Sequence, residues 1–389
     1  MTGTRSIGTK KMNDYIVTQI EYGPDRFLAA ALYEDRKLRN LRLEKCGETS
    51  EIGKIYLGHV DSYAKNIGGA FVKFDGSRLA FLPHYKRGQG DPGRILLQIT
   101  KDAAGNKTCV ATQRLSIAGR YAVMERGSGG FSFSKKLSKG DKELLAKWTE
   151  GLSYEGMRPL LRTNAPKALK AELLSELETL ARQMQKIVLD AEKAKPGTLL
   201  YEPDPFYITM LRDLYTAPDR LYSDIPLAAE KLESFPHENE EICYTGRSLS
   251  LAVLYELGRD LDRLLAKKVW LKSGAYLVIE QTEAFVSIDV NSGRFEKGKI
   301  AEETYRKINL EAAEEIVTQV ILRNLSGMIL VDFIKLSNPD HREELVNVMR
   351  KHAKRDRLSM DVVDLTPLGI MEIVREKREK PLPEILKGT

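Results

Sequence analysis

The sequence predicts a multidomain α/β protein, and three observations carry that prediction. Residues 51–118 hold several short strands separated by glycine turns, with no convincing helix. From residue 270 onward, apolar strands alternate with amphipathic helices, which marks a layered α/β domain. A chain of 389 residues is also long enough to bury more than one core.

Taken in order, MTGTRSIGTKKM is polar and basic with no apolar centre, so it is not a secretory signal; residues 1–13 are expected to be a disordered leader. Residues 14–46 alternate apolar and polar around the turns Gly23-Pro24-Asp25 and Glu34-Asp35, and predict an antiparallel meander. The strands IGKIYLGHV, GGAFVKF, RLAFLP, RILLQIT and TCVATQRLSI are spaced as in a small barrel. GSGGFSFSKKLSKG is loop-like, and residues 141–195 are expected to be helical, with Ala168–Lys193 the best amphipathic stretch and Leu160-Leu161-Arg162-Thr163 a strand-like interruption. Lys195-Pro196-Gly197 marks a boundary. Beyond it helix and strand alternate, and Leu249–Ala266 predicts one strong amphipathic helix. Strands follow at Tyr276–Glu280, Ala284–Val290, Met328–Leu336 and Met360–Leu365, with helices at Ala301–Leu325, Asp340–Arg355 and, highly charged, Leu368–Lys380.

Composition narrows the chemistry. Cys46, Cys109 and Cys243 are scattered, which excludes a disulfide framework or a zinc knuckle within the chain. The five histidines do not cluster either. Any metal would then rest on carboxylates, which selects a hard cation, Mg²⁺ or Mn²⁺. No stretch approaches the roughly 18 apolar residues of a membrane span, and a cytoplasmic location is expected. Lys plus Arg number 61 against 55 Asp plus Glu, a formal +6 that is compatible with a polyanionic partner.

Two aspartates stand out. Asp289 ends the apolar strand Ala284–Val290 just before Asn291-Ser292-Gly293, and Asp332 interrupts the still more apolar Met328-Ile329-Leu330-Val331 run. Aspartate is depleted in strands, and an unpaired buried carboxylate is costly. Two such residues in one α/β domain, with a helix between them, suggest a shared cation at the strand ends, where open α/β sheets gather ligands. The competing reading has each capping a helix or pairing with an arginine such as Arg294.

The run GAYLVIEQTEA into SIDVNSGRF, then EETYRKINLEAAEEI, then GMILVDFIKL, closely resembles the catalytic domain of the ribonuclease E/G family. The resemblance extends in order from about residue 14 to 380. It implies an OB-fold barrel and a 5′-sensor inserted in an RNase H-like domain, followed by a DNase I-like α/β catalytic domain. The implied boundaries are 14–48 and 197–267 for the RNase H-like parts, 49–118 for the OB fold, 119–196 for the sensor and 268–389 for the catalytic domain. The implied activity is Mg²⁺-dependent endonucleolytic hydrolysis of single-stranded RNA to 5′-phosphate and 3′-hydroxyl ends, in rRNA processing and mRNA decay. Asp289 and Asp332 become the metal ligands and Asn291 their positioning residue. Phe71 and Phe81, five residues either side of Gly76, would face each other across a symmetric hairpin as a base-stacking surface. Taken without the resemblance, both read first as barrel core, because phenylalanine is so often buried. Lys107, in the turn Ala104-Gly105-Asn106-Lys107, would meet a phosphate. Gly119, Val123, Arg162 and Thr163 would form a pocket for a 5′-monophosphate, whereas Arg162 alone reads as a surface salt bridge.

The chain departs from many relatives in carrying no CPxC zinc-link after the catalytic domain, so an oligomer joined through that motif is not expected, although other dimer surfaces stay open. Two other readings compete: a non-catalytic RNA-binding protein with structural aspartates, and a deoxyribonuclease or general phosphodiesterase. The joint presence of Asp289, Asn291 and Asp332 argues against the first, and the barrel with its sensor-like segment against the second.

Overall fold

The computed structural model describes residues 12–48, 50–86, 93–103, 107–214, 218–233, 249–293 and 301–387. The expected leader, apart from Met12 and Asn13, lies outside them, as do Arg294 and the turn residues Ala104, Gly105 and Asn106. The chain forms two compact units: residues 1–48 with 206–389, and residues 49–205 inserted between those stretches. No described helix is long and apolar enough to cross a membrane.

The first unit opens with β1 (Asn13–Tyr22), β2 (Asp25–Glu34) and β3 (Lys37–Lys45), the expected antiparallel meander.

In the inserted unit, β4 (Ile55–Ala64), β5 (Gly69–Asp75), β6 (Arg78–Pro83), β7 (Ile95–Lys101) and β8 (Cys109–Thr112) bond in the order β4-β5-β6-β8-β7. Because β7 also pairs with β4, the sheet closes into a five-stranded, OB-like barrel. Alternation sets its interior: Ala70, Val72, Phe74, Ala80, Leu82, Leu97 and Ile99 are buried, so their neighbours point out. The single strand expected over TCVATQRLSI is in fact two: β8 stays in the barrel, while β9 (Ser116–Ala118) joins a second sheet with β10 (Ala122–Arg126) and β11 (Ser132–Phe133). Helix α1 (Lys139–Trp148), strand β12 (Met157–Leu161) and helix α2 (Lys170–Lys193) complete that layer. The stripe Leu173, Leu177, Leu180, Met184 and Ile187 of α2 packs into the same core as Ile117, Ala122 and Met124. Strand β13 (Thr198–Tyr201) then pairs with β4.

Back in the first unit, α3 (Phe206–Asp213) leads to β14 (Arg220–Ser223), which lies parallel to β1, and to α4 (Pro226–Glu233). The helix expected over 249–266 is broken into α5 (Leu251–Leu254) and α6 (Leu257–Leu265), with Glu256 left-handed at φ 53° between them. In one continuous helix, Leu251 and Leu257 would be rotated about 120° apart. The break lets both reach the core that also holds Leu261 and Leu264.

The last layer contains β15 (Lys268–Trp270), β16 (Tyr276–Gln281), β17 (Val286–Asn291), α7 (Ala301–Leu322), β18 (Gly327–Asp332) and α8 (Pro339–Ala353). It ends with β19 (Met360–Leu365), β20 (Ile370–Arg375) and α9 (Leu382–Lys387). The sheet runs β15-β16-β17-β18-β20-β19. Ile288, Val290, Ile329 and Val331 share a core with Ile308, Ala312 and Ile316 of α7 and with Leu345 and Met349 of α8. The charged helix expected at Leu368–Lys380 does not form; strand β20 occupies Ile370–Arg375 instead. Its buried residues Met371, Ile373 and Arg375 alternate, and the buried Arg375 is paired with Asp356, which hides the strand pattern from a reading by polarity.

Candidate active site

Alternation along β17 and β18 decides where the aspartates point. The helix-facing residues are Val286, Ile288 and Val290 on β17 and Ile329 and Val331 on β18, so Asp289 and Asp332 stand on the opposite face. The strands are parallel, and Asp289 and Asp332 are direct register partners at the carboxyl end of both. Adjacent strands lie about 4.8 Å apart, close enough for both carboxylates to reach one cation. Asn291, two residues on and on the same face, donates from Nδ2 to Asp289 Oδ2 at 2.6 Å. After Asn291 the chain turns at Gly293, whose φ is +69°; a Cβ there would meet the Gly274 carbonyl oxygen at 2.6 Å. Only glycine fits that close approach.

Both aspartates are exposed, so the cost of burying a carboxylate is not what singles them out. The register explains their pairing. Asp332 has no hydrogen-bond or ion-pair partner among the described residues, and Asp289 has Asn291 alone. Neither is locked to a described basic neighbour. Among the described residues, no three His, Cys, Asp or Glu side chains cluster. Two carboxylates open to water therefore suit a cation that keeps most of its hydration, as Mg²⁺ does, rather than one needing an all-protein cage.

Supporting contacts fix the strand ends. Glu302, at the start of α7, accepts the Ser337 and Asn338 N–H groups and lies near His341 Nδ1. Those backbone bonds hold its carboxyl below the ordinary range. Glu311 accepts the Lys272 N–H at 2.7 Å, tying the β15–β16 turn to α7.

In the inserted unit, Phe71 and Phe81 are also direct register partners, with ring centroids 5.5 Å apart and planes tilted by 54°. Both are half-buried on the outer side of the barrel wall, outside the core. The hairpin between them is not fully symmetric, because the register shifts between Lys73 and Asp75. Lys107 is exposed just ahead of β8, the strand that runs beside Phe81.

The four residues of the expected sensor gather around the β9–β10 turn. Arg162 Nη1 donates to the Gly119 carbonyl at 2.6 Å, and the Thr163 and Ser134 hydroxyls are 3.2 Å apart. Val123 pairs with Leu160 on β12. Glu176 of α2 organises the turn by accepting the N–H groups of Arg120, Tyr121 and Ala122 at 2.9, 2.7 and 2.9 Å. Sequence reasoning missed Glu176, which reads as an ordinary solvated helix residue; its one signal is its place beside Leu173 and Leu177 on the buried stripe. It missed Ser134 as well.

Comparison with known proteins adds the family. A model described as the Ribonuclease E/G family matches residues 116–378, which include both aspartates. Ribonuclease G of Escherichia coli K12 is 28% identical over 379 residues, covering 90% of this chain and 77% of its own. Ribonuclease G of Salmonella typhimurium is 27% identical over 378 residues, with the same shares. Ribonuclease E of Synechocystis is 28% identical over 363 residues, covering 87% of this chain and 54% of its own. With the aspartate pair lying inside the matched region, the chain belongs to the ribonuclease E/G family.

Proposed function

We propose that this protein is a cytoplasmic, Mg²⁺-dependent endoribonuclease that hydrolyses single-stranded RNA to 5′-phosphate and 3′-hydroxyl ends, in rRNA processing and mRNA decay. The observation that carries the reading is the register pairing of Asp289 with Asp332, with Asn291 bonded to the first.

Asp289 and Asp332 would hold Mg²⁺, with Mn²⁺ as an alternative. A bound divalent ion polarises the scissile phosphate and lowers the pKa of an attacking water. Asn291 fixes the rotamer of Asp289, so the two carboxylates present their oxygens together before RNA arrives. The sheet carrying them would be the DNase I-like catalytic domain. The β14-β1-β2-β3 sheet, a meander with one parallel strand beside β1, supports the RNase H-like reading.

RNA would be gripped in the inserted unit. Phe71 and Phe81 offer half-exposed rings for stacking, and Lys107 a charge for a phosphate. Arg162 and Thr163, with Gly119 and Val123 as walls, would recognise a 5′-monophosphate; the Gly119 carbonyl orients the guanidinium fork.

The deciding assay is cleavage of a single-stranded, AU-rich RNA with and without Mg²⁺. Asp289→Asn and Asp332→Asn are expected to abolish cutting while RNA binding persists. Cleavage at the wild-type rate in EDTA, or by either variant, overturns the proposal.

A further inference from the structure

The face of the catalytic sheet that carries the aspartates also carries an aromatic corner with no part in holding a metal. Val269 packs into the helix-covered core, so its neighbours Lys268 and Trp270 project from the opposite face. The same alternation puts Tyr276 and Val278 there, because Leu277 and Ile279 are buried. Register then lines these residues up in two rows. One runs Trp270, Tyr276, Asn291 and the other Lys268, Val278, Asp289, Asp332. Two strand spacings, about 10 Å, separate the strand of Trp270 from that of Asp289.

Trp270 is 64% exposed, unusual for a side chain of that size on a short edge strand. The ring is nevertheless held in place. The Tyr276 ring lies 5.2 Å from it at 60°, and Lys268 Nζ sits 4.0 Å from the Trp270 centroid and 3.6 Å from that of Tyr276. A cation between two rings fixes both and brings a positive charge to the same spot. Rigid aromatic surface beside an ammonium is the combination that binds a base together with its phosphate.

We propose that Trp270, braced by Tyr276 and Lys268, is a stacking subsite for the base of a nucleotide flanking the scissile phosphate. The proposal rests on the reading of Asp289 and Asp332 as the cutting centre, and it adds a specificity element to that same sheet face. It places part of the substrate grip within the catalytic layer itself. The base stacks on the outward side of the indole, and Lys268 faces the backbone that leads toward Asp289.

The chain has two tryptophans, so Trp148→Phe leaves Trp270 as the sole reporter. In that background with Asp332→Asn, titration with an AU-rich single-stranded oligoribonucleotide is expected to quench the fluorescence. Read on a labelled oligoribonucleotide of the same sequence, Trp270→Ala should weaken binding about 5- to 100-fold, and Trp270→Phe should restore most of it. In the cleaving protein, substrates carrying one abasic position in turn should show a penalty beside the cut site that disappears in Trp270→Ala. A flat fluorescence signal, a signal that follows protein rather than RNA concentration, or an abasic penalty that persists in Trp270→Ala at every position overturns the subsite. These readouts fail independently of the cutting centre, whose failure shows as cleavage by Asp332→Asn.

Discussion

Asn309, wholly buried on α7, clamps the backbone of Ile334 with both ends of its amide. Nδ2 donates to the Ile334 carbonyl at 2.6 Å, and the Ile334 N–H donates to Oδ1 at 3.2 Å. The clamp lies just beyond Asp332, so it fixes the end of β18 where the carboxylate must be aimed. A leucine of similar volume would leave both backbone groups without that partner, at about 1–3 kcal/mol each if they stay dry. Asn309→Leu is therefore expected to lower stability on the order of 3 kcal/mol. It should reduce kcat more than it raises KM. Urea unfolding and steady-state cleavage measure the two effects, and an unchanged kcat would remove the positioning role.

The aspartate strands were legible because each is a nearly pure apolar run broken by one carboxylate, a pattern that packing alone does not produce. That the two share a site could be read from the sequence; their direct register could not, since it depends on how α7 returns the chain, and that is a tertiary matter. Strand β20 escaped notice because Arg375 occupies a buried position that composition assigns to solvent. The break at Glu256 was hidden for another reason: α5 is a single apolar turn that reads as the start of amphipathic α6, and only the shared core reveals that Leu251 and Leu257 are out of phase in one helix. In the barrel, Phe71 and Phe81 were placed by counting from Gly76, and the count holds because the register shift between Lys73 and Asp75 recentres the pairing on Gly76; the Asp75–Arg78 pair at the turn, continued without it, would set Phe71 against Leu82.

Arg375 and Asp356 form a pair that is almost fully buried, with Nε to Oδ2 at 2.6 Å. The same guanidinium donates to the Leu325 carbonyl at 2.8 Å and to Asn324 Oδ1 at 2.9 Å. It thus joins β20 to the loop that enters β18. Removing one partner strands the other as a buried charge. Asp356→Ala is expected to cost about 3–5 kcal/mol, and the double replacement Asp356→Leu with Arg375→Met to recover part of it. Denaturant midpoints decide. A loss below about 1 kcal/mol would mean that solvent reaches the pair.

Phe71 and Phe81 lie outside the barrel core, so truncating them should affect RNA more than folding. Each alanine is expected to weaken single-strand binding by about 1–3 kcal/mol, with the double variant short of additive because the rings touch. Titration of a labelled single strand, beside thermal unfolding of the free protein, separates the two effects. Unfolding that shifts while affinity does not would return both rings to a structural role.

Glu379 supplies a pH dependence. Burial pushes its carboxyl up, but Arg42 and Arg357, with Arg375 behind them, more than offset this and leave it below the usual glutamate range. The contacts are Arg42 Nη2 at 3.3 Å and Arg357 Nη2 at 3.0 Å. A folded-state pKa below the unfolded one means that the unfolded chain takes up the proton first on acidification. The contribution is full above the ordinary glutamate value of about 4.3 and fades as pH falls through the lower folded value. Glu379→Gln should therefore destabilise at neutral pH, and the gap to wild type should close in acid. A gap that stays constant as the pH is lowered would refute the linkage.

At Gly119 the constraint is steric and electrostatic together. A Cβ would collide with Glu176 Oε1, and that carboxylate cannot retreat without releasing the three N–H groups it accepts. Gly119→Ala must therefore deform the turn whose carbonyl orients Arg162. If the pocket reads a 5′-monophosphate, wild-type protein should cut a monophosphorylated RNA faster than its 5′-hydroxyl twin. Gly119→Ala and Arg162→Ala should both reduce that ratio. One hydrogen bond to a charged group is worth about 1.5–3 kcal/mol, so the advantage should fall roughly 10- to 100-fold at most. Glu176→Gln is the informative control: it keeps an acceptor oxygen and the steric fill but loses the charge that draws in three donors. Its ratio should fall between those of wild type and Gly119→Ala. Equal rates on the two RNAs in the wild type would instead leave Glu176 as a structural organiser of the turn, with Arg162 serving only to close it.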